Sequence, residues 1–191
     1  MKFFKFILVI LYLATSSVWA ETISSTIIGG NWSDIETWED GNVPTELDDV
    51  VINGVISIDS NTVISGIEIS RGGTLQKTDG FHTLTVNGDL TNKGNVKDDS
   101  NDTDFTIKVS GNINNDLGIF NGEKLFLEVA GDVINKGIWS NNSLRLTSGA
   151  DSRTISGNTI SSNVFFEADF EVINTNFTFS GNVDFSNHII T

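Results

Sequence analysis

Residues 84–139 repeat one short pattern three times, and this repeat limits what the chain can fold into more than any other feature. Glycines at equivalent places in the three copies, Gly88, Gly111 and Gly131, are 23 and 20 residues apart. A fixed period of this length indicates one supersecondary unit stacked on copies of itself. The core is therefore expected to form by stacking of equivalent residues from successive copies of the unit.

Each copy holds three short apolar segments separated by turn residues. The first is an alternating triplet such as Leu84-Thr-Val86, which has the period of a strand with one buried face. The second leads into Asn followed by Gly, as in Asn92-Lys-Gly94. Residues that tolerate a positive φ are expected at such a tight corner. The third segment closes the unit, at Val96 in the first copy.

Three strands and three corners in about 20 residues predict one coil of a parallel β-helix. The predicted fold class is all-β, a single right-handed solenoid of about seven coils with an N-terminal Trp-rich cap. Stacking would place Asn92, Asn115 and Asn135 above one another, with their amides paired along the stack. An antiparallel sandwich is the alternative, but corner residues that recur at whole-coil spacing favour the β-helix.

The first 20 residues have the organisation of a secretory signal peptide. Lys2 and Lys5 give a basic start, an apolar run follows, and Val18-Trp-Ala20 is a small-x-small cleavage pattern. A membrane anchor is the alternative, but the apolar run is shorter than the roughly 20 residues that span a bilayer. The predicted divisions are a signal peptide at 1–20, the cap and first strands at 21–53, and the β-helix coils at 54–191.

Cleavage would leave 25 acidic and nine basic residues in the mature chain. This balance argues against nucleic acid and anionic membrane surfaces as partners. The chain has no Cys, so an exported form would depend on packing and strand hydrogen bonds for its stability. The expected location is secreted or at the cell surface, with no membrane span after signal cleavage.

The stretch from Gly30 to Ile52 holds Trp32, Trp38 and the only proline, Pro44. A solenoid exposes its core and unpaired strand edges at its ends, so it needs a cap there. Trp32 and Trp38 are expected to plug this end. The alternative is an exposed platform on which sugar rings stack, which makes both residues candidate ligand-binding residues.

The same stretch resembles the start of bacterial secreted and cell-surface β-helix proteins and is similar to the G8 domain, a glycine-rich extracellular β module. The matching residues are Trp32, Thr37, Trp38, Gly41, Pro44, Asp48, Asp49, Val50, Ile52 and Gly72-Gly73-Thr74-Leu75. The resemblance implies a β-helical fold and a surface or secreted role, often in attachment or glycan contact. It implies no particular activity, because such modules occur in adhesins, in enzymes and as stalks.

Two acidic groups are candidate Ca²⁺ ligands, because Ca²⁺ takes carboxylate oxygens. They are Asp98, Asp99, Asp102 and Asp104 in the insertion at 97–104, and the neighbouring pair Asp48 and Asp49. The insertion lacks the spacing of an EF-hand loop, and a solvated acidic loop is its alternative. For the pair, the alternative is that Asp49 caps a turn while Asp48 faces water. No other cofactor is expected.

The chain carries no thiol nucleophile, nucleophile elbow, phosphate-binding loop or zinc-protease motif, and it is not expected to be an enzyme. β-Helix lyases need a basic residue that abstracts a proton, and hydrolases need a carboxylate pair. The best candidates, which are also candidate ligand-binding residues, are Lys108, Glu128 and Arg145, the middle residues of successive apolar triplets. They would share one outward face, and the alternative is that they form ion pairs between neighbouring coils.

Phenylalanine is dense at 164–185, and alternation such as Phe177-Thr-Phe179 and Val183-Asp-Phe185 predicts strands with aromatic core stacks. No charged cap follows, and an uncovered solenoid end is an association hazard. Self-association through the C-terminal coil is therefore one candidate interaction. A glycan or another surface protein is the other candidate partner.

The preferred hypothesis is a secreted or cell-surface β-helix module with a binding or structural role, adhesive or in contact with glycans. One alternative is a polysaccharide-degrading β-helix enzyme, either a lyase or a hydrolase. The other is a pure spacer segment of a surface fibre, which would bind no ligand.

Overall fold

Every strand-to-strand pairing in the described part of the chain is parallel, and the strands stack into a solenoid. The computed structural model describes residues 20–98, 103–147, 153–172 and 178–185. The prediction of an all-β parallel solenoid is confirmed, with about six turns in place of the predicted seven. The signal-peptide prediction at 1–20 lies almost wholly outside the described residues.

One side of the solenoid, called face A, is an eight-stranded sheet. Its strands, in stacking order, are β1 (Thr22–Ser24), β3 (Asp49–Ile52), β6 (Gly66–Ile69), β9 (Leu90–Asn92), β12 (Ile113–Asn115), β14 (Val133–Asn135), β16 (Arg153–Gly157) and β18 (Phe170–Val172). The first full turn begins at β3, inside the segment predicted to hold the cap and first strands.

The remaining strands form an 11-stranded sheet that bends into two faces. Face B contains β2 (Gly30–Asn31), β4 (Val55–Ile58), β7 (Thr74–Lys77), β10 (Asn95–Lys97) and the first parts of β13 (Ile119–Val129) and β15 (Ile138–Leu146). Face C contains β5 (Thr62–Ile64), β8 (His82–Val86), β11 (Phe105–Val109), the second parts of β13 and β15, β17 (Asn163–Phe166) and β19 (Val183–Asp184).

In-register pairing places equivalent residues of successive turns in columns that run along the solenoid. Leu84, Ile107, Leu127 and Leu144 form one inward column on face C, and all four are fully buried. Successive strands lie about 4.8 Å apart, so each side chain in the column contacts the next. Burial of each such side chain contributes roughly 1.5–3 kcal/mol, and these columns are the core.

The corner positions require glycine because the neighbouring turn lies too close for a side chain, and not because their φ angles are positive. None of Gly94, Gly118 and Gly137 has a positive φ, and the residue that does in the second corner is Leu117, with φ 67°. A Cβ built on Gly137 would lie 2.1 Å from the carbonyl oxygen of Gly118 in the turn below. The expectation that these glycines supply positive φ is therefore wrong. They are needed because no side chain fits between stacked corners.

The predicted asparagine ladder is confirmed inside the corner between faces A and B. Asn92 donates to the Asn115 amide oxygen at 3.1 Å, and Asn115 donates to the Asn135 amide oxygen at 2.8 Å. All three side chains are fully buried. Each amide nitrogen also donates to a backbone carbonyl, such as that of Ile138 at 3.1 Å from Asn115. The ladder therefore satisfies buried polar groups that would otherwise cost free energy.

The predicted tryptophan cap is present beneath the first full turn. Trp32 and Trp38 are each 2% exposed, and their rings meet edge to face with centroids 4.8 Å apart. The Trp38 indole nitrogen donates to the Trp32 carbonyl oxygen at 2.9 Å, and the Trp32 backbone nitrogen donates to the Ser57 carbonyl oxygen. A short 3-10 helix, Ile35–Thr37, connects the two rings. Neither ring offers a face to a sugar, so the structure supports the cap interpretation.

None of the helical segments in the described residues has the length and hydropathy that crossing a bilayer requires.

Replacement of Gly137 by Ala is expected to destabilise the protein by at least about 3 kcal/mol, because the new methyl group overlaps a backbone oxygen. Gly72→Ala is the matched control. Gly72 has φ +88° but no atom within 4 Å of a built Cβ, so only backbone strain of about 1–2 kcal/mol is expected. Urea unfolding of both variants measures the difference, and equal losses would contradict the close-approach explanation.

Asn115→Ala is expected to cost about 2–4 kcal/mol, since it leaves buried amide and carbonyl groups without partners. The control is Asn114→Ala on the same strand. Asn114 alternates to the outward side, and its amide oxygen is buried without a hydrogen bond. Its removal breaks no hydrogen bond of that oxygen and relieves an unsatisfied polar atom, so no loss of stability is expected. Thermal and urea unfolding report both values. A ladder that contributes little to stability would give two similar midpoints.

Candidate functional site

The three charged residues singled out in the sequence do share one outward column on face C. Strand register places Lys108 beside Glu128, and Glu128 beside Arg145. Lys108 pairs with Glu128 at 3.1 Å, while Arg145 pairs with Glu167 just beyond β17. The alternative interpretation, ion pairing between neighbouring coils, is therefore what these side chains do. Pairs this exposed contribute roughly 0–1 kcal/mol each.

Two phenylalanines also occupy outward positions on this face, and both are half-buried. Phe126 lies on β13 between two fully buried leucines. Phe165 lies on β17 in register with Arg145, between the fully buried Val164 and Phe166. The predicted aromatic core stacking is present at Phe166, whose ring meets those of Phe179 and Phe185, whereas Phe165 points outward. The strand alternates, so only one of two adjacent phenylalanines can point inward.

The rings, the charges and several amides line a shallow depression of about 260 Å³, called here the Phe groove. Its lining residues are Asp104, Thr106, Phe126, Leu127, Glu128, Asn142, Ser143, Arg145, Asn163 and Phe165. Ser143 lies between Phe126 and Asn163 in one outward column, and its short side chain leaves a gap between larger neighbours. The Arg145 guanidinium carbon is 5.5 Å from the Phe165 ring centroid, which is the geometry of a cation–π contact.

A second depression of about 480 Å³, called the amide groove, begins where the Phe groove ends. It is lined by Asn121, Gly122, Glu123, Lys124, Ser140, Asn141, Asn142 and Asn163. Asn142 and Asn163 line both depressions, so the two are continuous. The joined depression, called the trough, crosses the bend between faces B and C.

Asn141 fixes the bend that forms the floor of the trough. Its side chain is buried, accepts from the Trp139 indole nitrogen at 2.8 Å and donates to the Leu125 carbonyl oxygen at 3.0 Å. Its amide oxygen also accepts from the Ser162 hydroxyl. This network spans three turns at the point where the β13–β15 register shifts between Gly122 and Phe126. The trough is therefore supported by a rigid polar core.

The arrangement suits binding of a partly apolar, hydroxyl-bearing ligand. Aromatic faces contact apolar ligand surface, while a few placed amides and charges fix orientation. Of the residues predicted from the sequence, Asp104, Glu128 and Arg145 line the trough, and Lys108 borders it through its ion pair. The sequence interpretation missed the two phenylalanines and the amides. Phe126 was detectable, because it has the same alternation phase as Glu128.

The Asp48–Asp49 pair is arranged in the opposite way to the expected one. Asp48 is buried and accepts from the Thr45 backbone nitrogen and hydroxyl at 2.8 and 2.7 Å and from the Glu21 backbone nitrogen at 3.1 Å. Asp49 is exposed. Burial by itself would raise the pKa of the Asp48 carboxyl, but the hydrogen bonds from Thr45 and Glu21 outweigh it and lower that pKa. Asp48, not Asp49, closes the turn.

Two of the four candidate Ca²⁺ ligands in the acidic insertion lie within the described residues. Asp98 accepts from the Lys124 backbone nitrogen at 2.6 Å, and Asp104 lines the Phe groove. Asp99 and Asp102 lie outside the described residues. In the described ranges, no three His, Cys, Asp or Glu side chains are grouped as a metal site requires. Calcium binding at either acidic group therefore stays a prediction.

A larger groove of about 530 Å³ lies at the N-terminal end, lined in part by Ile28, Gly29, Asp34 and Ile35. No aromatic ring or cation lines it. It lacks the mixed aromatic and hydrogen-bonding groups that orient a ligand, and the trough is the better candidate site.

Asp48→Asn is expected to lower the free energy of unfolding by about 1–3 kcal/mol at pH 7, because charged hydrogen bonds are replaced by weaker ones. The lowered pKa means that this contribution is complete above the ordinary carboxyl pKa and is lost as pH falls through the lower folded-state value. The difference between wild-type and variant stability should therefore begin to narrow below about pH 4 and continue to shrink as the pH falls further.

Urea midpoints between pH 7 and pH 2.5 measure this convergence, with Asp49→Asn as the control at the exposed neighbour. A gap between wild type and Asp48→Asn that stays constant with pH would contradict the assignment.

Comparison with protein-family models, curated proteins and solved structures found no match to the chain. The resemblance to G8-like surface modules stays a prediction, and function is argued from the trough.

Proposed function

We propose that the mature chain is an exported β-solenoid module, secreted or held at the cell surface, that binds a glycan in the trough without cleaving it. The observation that carries the proposal is the placement of Phe126 and Phe165, half-buried aromatic rings on outward positions of a solenoid face. Export rests on the signal-peptide pattern at 1–20.

The fold does not require aromatic side chains at the outward positions of the solenoid. The core is filled by the inward columns, and the outward column of Thr83, Thr106 and Ser143 shows that small polar residues satisfy the fold there. Phe126 interrupts that column. A half-exposed aromatic ring costs solubility and favours association. A sugar offers an apolar face of C–H groups to such a ring and hydroxyls to nearby amides.

Binding without cleavage is favoured because Lys108, Glu128 and Arg145, the catalytic candidates of the charged column, are already paired. The Lys108 ammonium is 3.1 Å from Glu128, and the Arg145 guanidinium contacts both Glu167 and the Phe165 ring. A lyase needs a base free to take a proton, and a retaining or inverting hydrolase needs two carboxyl groups that flank the scissile bond. The paired column supplies neither arrangement. Contacts with another surface protein, or self-association through the C-terminal coil, would add an adhesive or structural role.

The proposal is tested by incubating the purified mature chain with a panel of insoluble polysaccharides. We expect the protein to be retained on at least one of them, with no release of reducing ends or unsaturated products. Lys108→Ala and Arg145→Ala should retain the fold, with stability changes below about 1 kcal/mol. Appearance of products that these variants abolish would establish the enzymatic alternative.

Failure to bind any polysaccharide would favour the spacer alternative. Fractionation of the host cells tests the location separately: recovery in the medium or on the surface is expected, and recovery in the cytoplasm would contradict export.

A further inference from the structure

Resting on the glycan-binding proposal, we infer that the ligand is a neutral oligosaccharide laid along strands β13 and β15. One sugar ring contacts the Phe groove, and further units extend over the bend into the amide groove. Three features of the trough support this assignment: its length, the different chemistry of its two ends, and its charge.

The trough is longer than a single sugar ring. On β15 it runs from Ser140 to Arg145, and on β13 from Asn121 to Glu128. Strand residues rise about 3.3 Å each, so the β15 side spans on the order of 15 Å. The trough runs along the strands, and residues of β11 and β17 form the two sides of the Phe groove. A chain of several units fits this direction, whereas a monosaccharide would occupy one end.

The two ends of the trough offer different contacts. The Phe groove supplies two rings, Phe126 and Phe165, for stacking. The amide groove has no aromatic lining residue and supplies the side chains of Asn121, Ser140 and Asn142. The Asn142 amide nitrogen donates to the Glu123 carbonyl oxygen at 2.7 Å, which holds this side chain in place. A polymer of like units satisfies both ends, because each unit carries an apolar face and hydroxyls.

The charge of the trough disfavours a polyanionic ligand. Its lining holds three carboxylates, Asp104, Glu123 and Glu128, against two cations, Lys124 and Arg145. Arg145 is paired with a carboxylate that lies outside the lining. The whole chain has a formal net charge of −14, so sulfated or uronate-rich glycans are repelled before contact. A neutral chain pays no such electrostatic cost.

The ligand class is tested by isothermal titration calorimetry with two sets of probes at low and at high salt. The neutral set comprises disaccharides and hexasaccharides of glucan, mannan, xylan, galactan and N-acetylglucosamine. The anionic set comprises polygalacturonate oligosaccharides and heparin. We expect at least one neutral hexasaccharide to bind, with an affinity that changes less than two-fold between 20 and 300 mM NaCl.

The variants Phe126→Ala and Phe165→Ala should each weaken the binding of that hexasaccharide at least ten-fold. Phe81→Ala is the matched control, because Phe81 is 72% exposed and lies outside the trough lining. Asn121→Ala, which changes a residue that lines the amide groove but not the Phe groove, should weaken the hexasaccharide several-fold and leave the disaccharide unaffected. The exposed Asn87→Ala should change neither. Thermal unfolding confirms that each variant is folded.

The outcomes separate this inference from the proposal beneath it. Salt-sensitive binding of the anionic probes alone would overturn the neutral class and keep a glycan-binding function. Equal affinity for disaccharide and hexasaccharide would overturn the two-ended site. If neither phenylalanine variant changes the affinity, the ligand does not bind in the trough. No binding in either set would overturn the proposed function as well.

Discussion

The close stacking of one backbone turn on the next is the constraint on which the rest of this structure depends. Parallel hydrogen bonds hold each strand about 4.8 Å from its neighbour, and the corners must approach as closely as the strands. This is why Gly118 and Gly137 follow the corner asparagines: a built Cβ at Gly137 meets the Gly118 oxygen at 2.1 Å. The asparagine ladder uses the same spacing, because amides one turn apart are within hydrogen-bond distance. The contacts at the corners therefore fix the register between successive turns independently of the side chains in the core.

Fixed register divides the side chains into columns with different roles. Inward columns such as Leu84 to Leu144 must be apolar, because they form the core. Outward columns face water, and the fold places little demand on them. Their composition is therefore the best guide to function, and two features depart from a purely solvated surface: the ion-paired column of Lys108, Glu128 and Arg145, and the half-buried rings of Phe126 and Phe165. The trough arises where these columns meet the bend held by Asn141.

Much of this arrangement followed from local pattern. The period of about 20 residues predicted stacked coils, the recurring Asn predicted the ladder, and alternation placed Lys108, Glu128 and Arg145 on one face. Trp32 and Trp38 were expected to close the N-terminal end, and they do. Other expectations failed for identifiable reasons. Asp48 and Asp49 exchanged their expected roles, because adjacent residues of the same type give no pattern that says which one the turn buries. The adjacent Phe165 and Phe166 likewise give no pattern that says which ring points outward.

The sequence by itself determined the solenoid, its repeat, its capped N-terminal end and the outward face that carries the charged column. All of these features depend on periodicity, and periodicity can be recognised from the spacing of residues along the sequence. Only the tertiary structure decided which charges pair, which phenylalanine points outward and where two depressions join. Those contacts involve side chains from different turns, such as Arg145 with Phe165 and Glu167. Residues about 20 positions apart along the chain meet only after the exact length of each corner has set the register between turns.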